Sequence, residues 1–191
     1  MIANSDDNAR LLCETVLRLL RRDLAAVQRE VLAYPDDESL WRVVPGIANA
    51  GGTLALHLAG NLRHFVGATL GGTGYQRDRD AEFDDRSMTR DAVSAQIEDA
   101  MAQVVTTLRA LDATRLGDDF PITMGNAVTL RTDVMLVHLA THTSYHLGQI
   151  DYHRRIVTGD STTVGALPLP ALVGPLPDPP HPPADARATR A

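Results

Sequence analysis

The sequence contains no lysine and only one cysteine, and each absence removes a class of chemistry. All 18 basic residues are arginine, which excludes a Schiff base on a lysine side chain and a P-loop lysine. Cys13 cannot form an internal disulfide, and its place within an apolar helical pattern indicates packing rather than nucleophilic chemistry. Any catalysis must therefore rely on other groups.

Long apolar runs and clusters of positive charge are also missing. No stretch approaches the ~18 consecutive apolar residues of a membrane span, and the N-terminal segment lacks the basic-then-apolar order of a signal peptide. The net charge is −6, with acidic residues spread along the chain, whereas phosphate backbones require a clustered basic field. We expect a cytoplasmic protein that binds neither membranes nor nucleic acids.

Apolar residues recur with a helical period of about 3.6 in four segments. These run from Ser5 to about Ala33, from Ile47 to about Leu70, from Asp91 to about Leu111, and from about Thr129 to Val157. A long crossover of mixed charge separates the second segment from the third. Four such helices predict an all-α fold, a four-helix bundle whose core can hold a metal site.

The C-terminal composition differs from that of the rest of the chain. Eight of the 11 prolines lie from Pro168 onward, and a segment so rich in proline cannot build a core. We expect a bundle in residues 1–160 and an extended or disordered tail in residues 161–191. Leu169, Leu172 and Leu176 could lay this tail over the body or over a partner.

Three histidines recur at intervals of four on the fourth helix: His138, His142 and His146. Residues four apart lie about one turn apart on the same side of a helix, and neutral imidazole is the commonest metal ligand. A third ligand must come from elsewhere, and the second helix offers His57 and His64. These two lie roughly 10 Å apart along the axis, so only one should bind. The spacing leaves open which residues bind.

Other polar side chains are candidates for the walls of such a site. Asn61 lies one turn past His57, Tyr145 precedes His146, and Gln149 lies about one turn after it. Each could bind substrate or could serve only in helix packing. In the crossover, Arg77, Arg79 and Glu82 could form ion pairs with one another or close over an anionic substrate, and we favour the ion pairs.

The pattern of the fourth helix also predicts which of its sides is buried. We expect the three histidines to face inward with Val134, Val137, Thr141, Tyr145 and Tyr152. We expect the opposite side to carry Asp133, Thr143, Asp151 and Arg154. Trp41, in the link between the first two helices, is expected in the core.

Three pieces of the sequence resemble the DinB/YfiT-like superfamily of metal-dependent four-helix bundles, over about 150 residues. They are HLAGNLRHF at 57–65, GYQRDRDAEF at 74–83 and HLATHTSYHLGQIDYHRR at 138–155. The resemblance implies a metal held by His57, His142 and His146, helices that pair out of sequence order, and a homodimer. It leaves His138 as a core or second-layer residue, and His64 and His153 as packing or pocket-lining residues. His181, in the tail, has no role that can be argued.

The family also implies two chemistries. Some members transfer low-molecular-weight thiols such as mycothiol or bacillithiol, and others are regarded as metal-dependent hydrolases. We expect a zinc or nickel ion, with iron also compatible, to activate a thiol for transfer to an electrophilic small molecule. Asn61, Tyr145 or Gln149 would orient the substrate. No carboxylate base accompanies the helix-four motif, which weakens the hydrolase alternative.

Two alternatives without catalysis remain open. The chain could be a stress protein that binds a metal or a small molecule and recruits a partner through its tail. It could also be a metal-free helical dimer with a histidine-rich core.

Overall fold

The structure, a computed structural model, describes residues 5–123 and 125–176. Regular elements in this part of the chain are helical, without β-strands, so the all-α prediction is confirmed. The α-helices are α1 (Ser5–Leu32), α2 (Asp37–Trp41), α3 (Gly51–Leu62), α4 (Arg79–Asp84), α5 (Arg90–Ala110) and α6 (Thr132–Thr158).

The four long helices pack around one hydrophobic core. α1 packs on α5 and α6, and α3 lies against the same two helices. Every residue of α3 is buried, which makes it the innermost helix. Burying a leucine or valine side chain stabilises the fold by roughly 1.5–3 kcal/mol. The core includes Leu20, Leu24, Leu58, Leu62, Ile97, Leu136 and Leu139.

The second predicted helix differs from the structure at both ends. It begins at Gly51 rather than Ile47, because Ala50 is extended and Gly46 adopts a φ of +84° in the preceding turn. Beyond Leu62 the helix widens into a π-helical segment, Arg63–Ala68. Such segments carry one extra residue per turn and shift the direction of the side chains that follow.

Two short helices lie in stretches that the sequence pattern predicts only as links. α2 and α4 are each about one turn long, too short to show a helical period. Both are capped by an aspartate, because Asp36 accepts from the Ser39 amide and Asp78 from the Ala81 amide. α4 packs on α3, so the crossover between the second and third long helices is a folded part of the site.

Most of the α6 side that was predicted to be buried is exposed, although His142 and His146 do face α3. Val134, Val137, Tyr145 and Tyr152 are exposed, with Tyr152 retaining 69% of its accessible surface. The opposite side is buried instead, including Thr143 and Arg154. The prediction failed because α6 carries apolar residues on both sides, so its period alone cannot select the core side.

Arg154 is buried because it has a carboxylate partner in the core. Its guanidinium forms an ion pair with Glu30 of α1, and both side chains are at most 1% exposed. Arg154 also donates to the carbonyl oxygens of Asp160 and Thr162. One arginine therefore joins α1, α6 and the chain that follows α6.

Arginine side chains also hold the segment from 160 to 176. Arg29 donates to the carbonyl oxygens of Val164 and Gly165, and Arg18 to that of Gly174. Leu176 packs against the edge of the core. The rest of the predicted tail, including His181, lies outside the described residues.

None of the described helices is both long enough and apolar enough to span a membrane.

Replacing Arg154 by alanine should lower the free energy of unfolding by about 3–5 kcal/mol, because it leaves the Glu30 carboxylate buried without its partner. Arg155→Ala is the matched control, since Arg155 is partly exposed, pairs with Asp151 and donates to the carbonyl oxygen of Ser161. That change should cost less than about 1 kcal/mol. Urea unfolding measures both, and equal losses would contradict the role assigned to the buried pair.

Candidate metal centre

Three histidines from two helices meet at one point, and we call them the histidine cluster: His57 of α3, and His142 and His146 of α6. Their ligand atoms all lie within 4.8 Å of one another. The Nε2 atom of His142 is 3.4 Å from that of His57 and 3.0 Å from that of His146. The cluster can therefore offer three imidazole nitrogens to one metal ion.

The antiparallel course of α3 and α6 produces this meeting. Gly51, at the start of α3, lies beside His153 near the end of α6, whereas His57 lies beside the middle of α6. The spacing of four between His142 and His146 then puts both rings on the side that faces His57.

The two remaining candidate ligands lie outside the cluster. His138 is exposed, so it is not a core residue; its ring centroid lies 5.8 Å from that of His142. His64 follows the start of the π-helical segment, and its ring packs on Phe65. His153, expected to pack or to line a pocket, is buried and hydrogen-bonded to Tyr34 and Arg42.

His142 and His146 favour the neutral form of their rings. Burial lowers the pKa of His142 to about 4, and the neighbouring His146, His57 and His138 rings add to this effect. Burial also lowers the pKa of His146, although its hydrogen bond with Gln149 opposes the shift. Neutral imidazole is the form that binds a metal, so these rings are ready to act as ligands at neutral pH.

Glu82 of α4 lies directly behind His57. Its Oε2 atom is 3.2 Å from His57 Nδ1, and Arg77 donates to both carboxylate oxygens at 2.7 Å. Arg77 Nη2 is also 3.2 Å from Nδ1. A hydrogen on Nδ1 that is donated to Glu82 leaves the Nε2 lone pair free for a metal, an arrangement common in histidine metal sites.

The Arg77–Glu82 ion pair was expected from the sequence, but the contact of Glu82 with His57 was not. A Cβ atom on Gly60 would collide with the Glu82 carboxylate, so this glycine makes room for it. The sequence does not predict this contact, because Gly60 and Glu82 belong to different helices, α3 and α4. It follows only from the packing of α4 on α3. Burial tends to raise the pKa of Glu82, but the hydrogen bonds and charges of Arg77 and His57 lower it overall.

The three predicted substrate-binding residues occupy different positions. Gln149 Oε1 is 2.6 Å from His146 Nδ1 and accepts its hydrogen, so His146 also presents Nε2 to the cluster. Tyr145 is exposed, and its ring centroid lies 5.2 Å from that of His146. Asn61 is buried one turn from His57, and its Oδ1 has no hydrogen-bond partner among the described residues.

These residues fit a divalent ion that prefers nitrogen ligands. His142 Nε2 lies 3.4 Å from His57 Nε2 and 3.0 Å from His146 Nε2, and lone pairs on nitrogens this close repel one another unless a cation or a proton lies between them. The buried Asn61 Oδ1 is a further polar atom without a partner nearby. His142 and His146 are only partly buried, which leaves the cluster open on one side, as in catalytic rather than structural sites.

Comparison with known proteins gives a family but no characterised relative. The family model described as "Protein of unknown function (DUF1572)" matches residues 9–169. No curated protein and no solved structure matches the chain.

Protein purified without a histidine tag should contain about one divalent ion per chain. His142→Ala should lose most of this metal, because it removes one of the three imidazole ligands. His138→Ala is the matched control on the same helix and should keep it. Elemental mass spectrometry measures all three, and equal metal content in the two variants would contradict the site.

The metal-free protein should become less stable as the pH falls below about 6.5. The folded pKa of His142 is about 4 against an ordinary value of 6.5, so in this range the unfolded chain binds protons that the folded chain does not. The contribution of neutral His142 to the free energy of unfolding is therefore fully present above about pH 6.5 and declines as the pH falls towards 4. Urea unfolding at pH 7.5 and 5.5 measures this decline, which His142→Gln should reduce. A urea midpoint that is higher at pH 5.5 than at pH 7.5 would contradict the predicted loss of stability.

Proposed function

The chain belongs to the DUF1572 family of DinB/YfiT-like helical proteins, and from this premise we propose that it is a divalent-metal-dependent enzyme. In this proposal His57, His142 and His146 hold the ion, and the reaction transfers a low-molecular-weight thiol to an electrophilic small molecule. Zinc or nickel is the preferred ion, and iron is compatible with the same ligands.

The observation that carries the proposal is the open cluster of three imidazoles. Three neutral ligands leave the 2+ charge of an ion uncompensated, so the remaining position favours an anion such as a thiolate. A bound divalent ion supplies Lewis acidity, which lowers the pKa of a thiol or a water molecule held beside it. The partial exposure of His142 and His146 gives small molecules access to this side.

The residues behind the cluster keep its geometry fixed. Glu82 and Gln149 hold the Nδ1 hydrogens of His57 and His146, so both Nε2 atoms stay directed at one point. Arg77 donates to both oxygens of Glu82 and so holds the carboxylate in place against His57 Nδ1. The unpaired Oδ1 of Asn61 can accept a hydrogen bond from a substrate.

The position of Glu82 favours thiol transfer over hydrolysis. In the described part of the chain, Glu82 is the one carboxylate that hydrogen-bonds a histidine of the cluster, and it is already paired with Arg77. It is therefore a poor general base for a water molecule. In thiol transfer the sulfur forms a bond to the electrophilic carbon, the leaving group takes the electron pair of the broken bond, and the thiol proton passes to solvent.

The proposal includes the finer architecture that the resemblance implies. We propose that the four long helices form a DinB-like four-helix bundle within residues 1–160, that residues 161–191 are a proline-rich tail, and that two copies associate. Packing of the four helices around one core supports the bundle. The arginine contacts of residues 160–176 support a tail that lies over the body.

The enzyme proposal is tested with the metal-loaded protein, a panel of thiols that includes bacillithiol, mycothiol, glutathione and cysteine, and 1-chloro-2,4-dinitrobenzene as the electrophile. Thioether formation is followed by absorbance and mass spectrometry. His146→Ala should lower turnover at least about tenfold while the protein stays folded, and His138→Ala should not.

Other outcomes separate the alternatives. Hydrolysis of 4-nitrophenyl acetate that depends on His146, with no thioether formed from any thiol, would replace thiol transfer with hydrolysis. Absence of turnover in both assays, despite bound metal, would favour a non-catalytic binding protein.

A further inference from the structure

A cavity of about 310 Å³ lies in the groove between the start of α3 and the end of α6. We call it the α3/α6 cavity. Its volume falls within the range of small-molecule sites. It is lined by Gly46, Ile47, Ala48, Asn49, Leu54, Gln149, Tyr152 and His153.

The α3/α6 cavity adjoins the histidine cluster along the groove. Leu54 precedes His57 by about one turn of α3, and Gln149 follows His146 by about one turn of α6. Because the two helices are antiparallel, both steps lead towards the same end, a shift of about 5 Å per turn. Gln149 belongs to both places, since it lines the cavity and accepts the Nδ1 hydrogen of His146.

No residue that lines the α3/α6 cavity is an aspartate, glutamate or arginine. Leu54, Ile47 and the ring of Tyr152 supply apolar surface. The buried imidazole of the lining, His153, uses both ring nitrogens within the protein. Its Nε2 donates to the Arg42 carbonyl at 2.8 Å, and its Nδ1 accepts from the Tyr34 hydroxyl at 2.7 Å.

Two amides supply the polar groups. Gln149 uses its Oε1 atom to bind His146, so its NH₂ group remains free to donate hydrogen bonds. Asn49 offers a second amide on the opposite side, in the loop before α3. A lining of this kind favours an uncharged ligand with an apolar body and a carbonyl-like acceptor, because a charged group would lose hydration without gaining a partner.

A larger cavity, of about 720 Å³, lies between the start of α1 and the end of α5. It shares no lining residue with the histidine cluster or with the α3/α6 cavity. Its walls carry charges of both signs, including Arg10, Glu14 and Asp112. The larger of these two cavities is therefore not the one that adjoins the histidine cluster.

We propose that the α3/α6 cavity binds the uncharged, largely apolar body of the electrophilic substrate, whose reacting atom lies at the histidine cluster. The identification of this ligand as the substrate rests on the proposed function. The existence of a binding site for uncharged, apolar molecules does not, because it follows from the lining of the cavity.

The test uses three naphthalene probes that differ in charge: 1-naphthalenemethanol, 1-naphthoate and 1-naphthylmethylamine. Ligand-detected NMR at pH 7.5 measures their binding to the full, metal-loaded chain. Ala48→Trp fills the cavity from an exposed loop position, and Val134→Trp adds the same side chain to an exposed site of α6 outside the cavity.

We expect the neutral alcohol to bind at least about tenfold more tightly than the amine. Ala48→Trp should weaken binding of the alcohol at least about tenfold, and Val134→Trp should leave it unchanged. Naphthoate bound equally by wild type and Ala48→Trp would reflect its carboxylate at the metal. Equal binding of alcohol and amine, or no effect of Ala48→Trp on the alcohol, would overturn the proposal.

The metal content of the same samples separates the two claims. Probe binding by a chain that takes up no metal during loading would refute the proposed function and leave the α3/α6 cavity as a binding site. Bound metal without binding of the neutral alcohol would refute the cavity proposal and leave the metal centre intact.

Discussion

The close antiparallel approach of α3 and α6 is the constraint on which the other features of this protein depend. It places His57 opposite His142 and His146, and one turn further along it opens the α3/α6 cavity. Glycine at the start of α3 permits the approach, because a Cβ atom on Gly51 would collide with the Tyr34 hydroxyl. That hydroxyl in turn fixes His153 of α6. Packing at this end of the groove therefore joins α3 to α6 about two turns from His57.

The residues that support His57 from behind, Arg77 and Glu82, come from the crossover, which has no recognisable helical period. Asp78 caps α4, α4 brings Glu82 to α3, and the absence of a side chain on Gly60 lets the carboxylate reach His57. Arg77 then neutralises Glu82. Arg77, Glu82 and His57 form one unit, since the carboxylate would be costly to bury without the arginine and His57 would lack an orienting partner without the carboxylate.

Much of the fold was predictable from the sequence because long amphipathic helices leave a strong periodic signal. The four long helices were found in this way. The buried side of α6 could not be predicted in this way, because Tyr145 and Tyr152 continue the apolar pattern although their side chains are exposed. Arg154, by its charge, was assigned to the surface. Its burial depends on Glu30, 124 residues earlier in the chain, and no local pattern reports such a pair.

The sequence by itself determined that this chain is helical, that it lacks lysine and disulfide chemistry, and that histidines recur at the interval that suits a shared ion. These are local properties, fixed by residue type and spacing along one helix. Family resemblance selected His57, His142 and His146 from the candidates, and the structure places those three together. Only the tertiary structure decided that Glu82 supports His57, that Gln149 joins the cluster to a cavity, and that Tyr145 is exposed. Such relations depend on distances between different helices, which the spacing within each helix does not contain.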